Sequence, residues 1–198
     1  MSDSPTGTET DPEADPERRR RVAPFVALAV AVVFAALFVV LAGSDASPTD
    51  TVDSFLIDQP APAAVGTTLA DEPFDLSRRK GSWVVLNFFD PECVECVKEH
   101  PELVAFVADQ LAIADGAELY TIVNQGSDGE VAAFFATSGG GWPVVRDPDG
   151  TISVDFGVSK IPETWIVDPE GIVRARFAGA ITSAQLSTTL QQLRERRG

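Results

Sequence analysis

The chain has two cysteines, Cys93 and Cys96, three residues apart in the stretch "FFDPECVECVKEHP" (88–101), which also carries the single histidine, His100. Thiols so spaced suit three chemistries: a redox centre, a metal site or a structural disulfide. Four carboxylates, Asp90, Glu92, Glu95 and Glu99, crowd them. If the pair opens a helix, Cys93 lies against unpaired backbone N–H groups and the positive end of the helix dipole. Both stabilise the thiolate, which is the nucleophile. A two-residue gap lets Cys96 turn back and resolve a mixed disulfide. A metal site has less to work with. Cys96 and His100 share a helical face, but with two thiols and one imidazole the remaining ligands must be carboxylates. A disulfide kept only for stability would close a loop too short to remove much chain entropy. Glu99 reads either as a proton-transfer group or as a solvated helix residue.

Downstream, "KIPETWIVDPEG" (160–171) sets Pro162 just before a hairpin signal. Taken alone, Ile161–Pro162 is an ordinary turn. Its place before the hairpin, well after the cysteines, favours the second half of a site, with the Ile161 backbone open to an extended client strand.

These residues need elements to hold them. "SWVVLNFF" (82–89) is a nearly continuous apolar run, as in a central strand covered on both faces. Residues 93–109 carry a helical apolar stripe, and Pro101 should kink that helix or restart it. A hairpin is expected over 67–76, a strand over 117–124, and a helix over 127–138 that stops before Gly139, Gly140 and Gly141. Residues 143–150 read as a short extended piece and a turn, and 151–158 as a short helix or loop. A hairpin follows over 164–179 around "DPEG". The last helix, 182–197, has a Thr182/Gln185 capping box and a buried stripe of Leu186, Leu190 and Leu193. Trp83, Trp142 and Trp165 read as core or edge packing. The alternation implies an α/β domain with a central mixed β-sheet flanked by helices.

The 198 residues allow one domain plus appendages. A net charge of −15 argues against nucleic acid as a partner, since phosphate binding needs clustered Lys and Arg. Residues 22–42 carry no charge over about the 20 residues that span a bilayer as a helix. They read as a transmembrane anchor; a cleaved signal peptide, with "LAGSDAS" as cleavage region, is the alternative. Arg18 to Arg21 precede the span, and no Lys or Arg follows closely, so the N-terminus should be cytoplasmic and the remainder extracytoplasmic. The expected organisation is a disordered tail over 1–21, an anchor over 22–42, a linker over 43–58 and the folded domain over 59–198. Outside the cytoplasm a vicinal cysteine pair oxidises unless something keeps it reduced.

Strand, Cys-x-x-Cys at a helix start, strand, helix, Pro-bearing turn, hairpin and helix is the thioredoxin order. With "VVLNFF", "EHP" and "FGVSKIPETWIVDPEGIVRARFAG", the chain resembles membrane-anchored thioredoxin-like proteins of the TlpA/ResA/DsbE (CcmG) family over about residues 60–195. The resemblance implies a thioredoxin-like fold, a redox pair Cys93 and Cys96, a cis Pro162 facing them, and a functional acid at Glu99. It implies extracytoplasmic disulfide reduction on protein clients such as apocytochrome c, fed by a membrane-embedded thiol donor of the CcdA/DsbD type, with no cofactor and no metal. Two positions depart from the pattern: Glu92 stands where the family has Trp, and Glu95 where it has Pro. Anions near the thiols disfavour the thiolate, which points towards a reductant. A disulfide-forming oxidase on the same fold and a non-enzymatic copper- or haem-handling chaperone are the rivals. No peroxiredoxin-like "P-x-x-x-T-x-x-C" occurs.

Overall fold

A computed structural model describes residues 28, 30–34 and 54–197. The chain divides into two units, Met1–Ala46 and Ser47–Gly198. In the first unit the described residues are helical and exposed. No helix among the described residues is long and apolar enough to cross a membrane. The expected tail (1–21), most of the anchor (22–42) and most of the linker (43–58) lie outside the described residues.

In the second unit, strands β1 (Val65–Thr68), β2 (Pro73–Asp75), β3 (Val84–Phe88), β4 (Glu118–Val123), β5 (Val144–Arg146), β6 (Glu163–Val167) and β7 (Val173–Ala178) alternate with helices α1 (Val94–Leu111), α2 (Asp128–Ser138), α3 (Thr151–Asp155) and α4 (Ser183–Arg197). They form one sheet ordered β2-β1-β5-β4-β3-β6-β7. Strands β5, β4 and β3 run parallel; β6 and β7 on one side, and β1 and β2 on the other, pair antiparallel. The sheet is therefore mixed, as the pattern implies.

All of β3 is buried, which is why its sequence is almost uniformly apolar. Its side chains alternate between faces. Val84, Leu86 and Phe88 enter a layer with Tyr120, Ile122, Phe156 and Trp165. Val85 enters the opposite layer with Leu103 and Phe106 of α1 and Leu186 and Leu190 of α4. Asn87 falls on the Val85 face, opposite Thr164 of β6, in a position otherwise apolar.

The helix ends follow local chemistry. Ser127 and Glu130 form a reciprocal capping box at α2. Thr182 and Gln185 do the same at α4, the side chain of each accepting from the other's backbone N–H at 3.2 and 3.0 Å. One expectation narrows and another changes. Helix α1 runs through Pro101 without restarting. Proline removes the donor to the Val97 carbonyl, but Val97 is exposed, so water can serve that carbonyl instead. Packing also begins before residue 59: Leu56 is buried in the core, and the Asp58 N–H donates to the Val173 carbonyl at 2.8 Å.

Candidate active site

Strand β3 delivers the chain to the cysteines through a tight turn. One Asp90 carboxylate oxygen accepts from the Glu92 N–H at 2.8 Å, and the Asp90 carbonyl accepts from the Cys93 N–H at 3.1 Å. Cys93 is the N-cap of α1 in an extended conformation. Its Sγ accepts from the Cys96 N–H at 3.2 Å, one of the donors a helix start leaves free. Cys93 and Cys96 form a disulfide. The sulfurs differ in access: Cys93 is half-buried, whereas Cys96 is fully buried against Phe89, Val123, Val131 and Val144. An incoming thiolate or disulfide can therefore reach Cys93 but not Cys96.

The Ile161–Pro162 peptide is cis. The Ile161 carbonyl oxygen lies 3.8 Å from Cys93 Sγ, beside the accessible sulfur. Behind it, Glu163 is wholly buried yet fully engaged. Arg176 donates to both of its oxygens at 3.0 and 2.9 Å, and Trp165 Nε1 donates to one at 2.8 Å. The Arg176 guanidinium also lies over the Trp165 ring, 5.2 Å from its centroid.

Glu99 is not a solvated helix residue. It sits one turn beyond Cys96 on the same buried side of α1, 1% exposed. One oxygen accepts from Asn87 Nδ2 at 3.0 Å and the other from the Ile181 N–H at 2.9 Å. Burial pushes its carboxyl up to about 7, while the two donors pull the other way. A group of that acidity can take or give a proton near neutral pH.

The other carboxylates are not equivalent. Asp90 is buried and hydrogen-bonded, Glu92 is exposed, and exposed Glu95 pairs with Lys98 at 2.8 Å. Solvent screens Glu92, and solvent and Lys98 screen Glu95. His100 is held by other partners. Its Nε2 donates to the Gly139 carbonyl at 2.8 Å, and its ring packs among Phe89, Phe134, Phe135 and Trp142. Among the described residues no three His, Cys, Asp or Glu side chains are grouped to hold a metal ion.

Sequence reasoning missed Asn87, Thr164 and the Glu163–Arg176 pair. For Asn87 a signal existed, a lone amide within an otherwise apolar central strand, since such a group must find partners when buried.

The AhpC/TSA family matches residues 57–176. The thiol:disulfide interchange protein HelX of Rhodobacter capsulatus is 30% identical over 63% of this chain and 68% of its own length. The thiol:disulfide interchange protein DsbE of Allochromatium vinosum is 30% identical over 72% of this chain and 77% of its own. The thioredoxin-like protein YneN of Bacillus subtilis is 32% identical over 67% and 77%. In fold, the chain is similar to the thioredoxin domain of a thiol-disulfide oxidoreductase from Bacteroides vulgatus, with TM-score 0.62 and 22% identity over 71% of this chain and 99% of that one. A DsbF homologue from Corynebacterium diphtheriae gives TM-score 0.63 and 20% identity over 76% and 96%. With the paired thiols at a helix start, these matches establish that the chain belongs to the AhpC/TSA family and is a thioredoxin-like thiol-disulfide oxidoreductase of the TlpA/ResA/DsbE type.

Proposed function

We propose that the chain is a membrane-tethered reductase of extracytoplasmic protein disulfides, with apocytochrome c as the type of client. The observation that carries this reading is the pairing of an accessible Cys93 beside the Ile161 carbonyl with a buried Cys96 backed by buried Glu99. A client strand would lie along Ile161 and present its disulfide to Cys93. The Cys93 thiolate, stabilised by the Cys96 N–H, attacks one client sulfur and forms a mixed disulfide. The other client sulfur leaves as a thiolate and takes a proton from solvent. The Cys96 thiol gives its proton to the Glu99 carboxylate, and the Cys96 thiolate attacks Cys93 Sγ. The second client sulfur then leaves and is protonated in turn. Two electrons have passed to the client, and the Cys93–Cys96 disulfide must be reduced again. Outside the cytoplasm that role falls to a membrane-embedded dithiol of the CcdA/DsbD type. The anchor at 22–42 would keep the domain beside such a donor, with the N-terminus cytoplasmic and the folded domain outside.

The test is the reduction potential of the purified chain in glutathione or dithiothreitol buffers. Thioredoxin lies at about −270 mV and the oxidant DsbA at about −120 mV. A value below about −200 mV supports the reductase. A value close to that of DsbA makes the chain an oxidase and overturns the direction proposed.

A further inference from the structure

Buried polar atoms are expected to have at least one hydrogen-bond partner, and an exception calls for a reason. Asn87 is such an exception. Its side chain is wholly buried in β3, between α1 and β6. Its Nδ2 donates twice, to a Glu99 oxygen at 3.0 Å and to Thr164 Oγ1 at 3.1 Å. Its Oδ1 has no partner. An amide turned this way suits a carboxylate, which needs donors. A protonated carboxyl needs an acceptor for its own O–H, and the idle Oδ1 is an acceptor on the same side chain. Rotation about the terminal torsion of Asn exchanges the two groups, because that torsion is broad and roughly two-fold. The Ile181 N–H can stay on the other Glu99 oxygen throughout, since a carbonyl oxygen accepts as a carboxylate does.

We propose that Asn87 is a positioning residue for disulfide exchange: its amide turns over as Glu99 gains or loses a proton and holds the carboxyl on the Cys96 side in both states. This rests on the reading that Glu99 takes the Cys96 proton. In the resolving step the proton moves from Cys96 Sγ to a Glu99 oxygen, the Cys96–Cys93 bond forms and the Cys93–client bond breaks. Asn87 neither gains nor loses a proton; it gives up both donated hydrogen bonds, and its Oδ1 accepts instead from the Glu99 O–H and from the Thr164 hydroxyl, which rotates to donate. The groups around Glu99 leave it this partner. Cys96 is the titratable neighbour on α1. Glu102, one turn on, accepts from the Ser183 N–H at 2.9 Å. His100 is bound to Gly139. Strand β6 offers Thr164 on this face, and by strand alternation Glu163 and its partner Arg176 belong to the other. The loop before α4 contributes the Ile181 N–H.

The wild-type full chain in detergent, labelled with 15N at asparagine, gives a test free of any folding question. The Asn87 side-chain amide resonances are expected to titrate with the same midpoint as the Glu99 carboxyl, read by its infrared C=O band. Asn87 resonances that do not move through that midpoint overturn the proposal. Kinetics give the second arm, as single-turnover reduction of a peptide disulfide against pH. Asn87→Leu keeps the volume and removes the donor, so the rising limb should move to higher pH, with on the order of a tenfold loss of rate below it. In a Glu99→Gln background the same substitution should change the rate no further. An equal loss at every pH, or a full further loss in the Glu99→Gln background, sinks the idea. If Glu99→Gln itself leaves the pH profile unchanged, the Glu99 reading fails; if Glu99→Gln removes the limb and Asn87→Leu does not move it, only the Asn87 proposal fails.

Discussion

Replacing Glu99 by Gln should make the oxidised protein more stable relative to wild type as pH rises. The carboxyl stands at about 7 in the folded chain against an ordinary 4.5, with burial as the main cause. Between these values the folded state binds a proton that the unfolded state has released. Stability contributed by this group is therefore full below pH 4.5 and is lost as pH rises through 7. At about 1.4 kcal/mol per tenfold change in acidity, the move is worth about 3 kcal/mol. Glutamine keeps the shape and one acceptor, and its amide can meet the idle Asn87 Oδ1. Urea denaturation of the oxidised wild type and Glu99→Gln at pH 4.5, 6 and 8 isolates the effect, because all other titrating groups are common to both. The wild type should lose about 3 kcal/mol relative to the variant across this range. Two stability curves that stay parallel would refute the claim that Glu99 is buried with a raised proton affinity.

Three further outcomes follow from the site. Cys96→Ser should accumulate a mixed disulfide with a client peptide through Cys93, visible by mass, whereas Cys93→Ser should form none, because Cys96 is fully buried. Arg176→Met leaves the Glu163 carboxylate, whose side chain is wholly buried, with Trp165 Nε1 as its remaining side-chain donor, and should cost about 3–5 kcal/mol in chemical denaturation. Gly140→Ala should lower stability by about 1–3 kcal/mol. Gly140 has φ +114°, and an added Cβ would meet Phe135 at 2.9 Å, Trp142 at 3.2 Å and His100 at 3.3 Å; a thermal midpoint unchanged from wild type would contradict that packing.

Much of this architecture was legible from local pattern. The run "WVVLNFF" marks a strand buried on both faces because only a central strand needs apolar side chains on both sides. Ser127 with Glu130 and Thr182 with Gln185 announce helix starts because a cap acts within three residues. The cysteine pair and its helix start follow from spacing and helix electrostatics. What the sequence left undecided is what the sheet register brings together. The 3.8 Å approach of Cys93 to Ile161 joins residues 68 apart, and the two donors that hold Glu99 come from β3 and from a backbone 82 residues away. Strand β5 carries no local sign that it lies between β4 and β1. Glu92, Glu95 and Glu99 look alike in the sequence. Only packing makes one of them a buried group titrating near neutrality and leaves the others in solvent, because acidity depends on which side chains exclude water, and those arrive from strands distant along the chain.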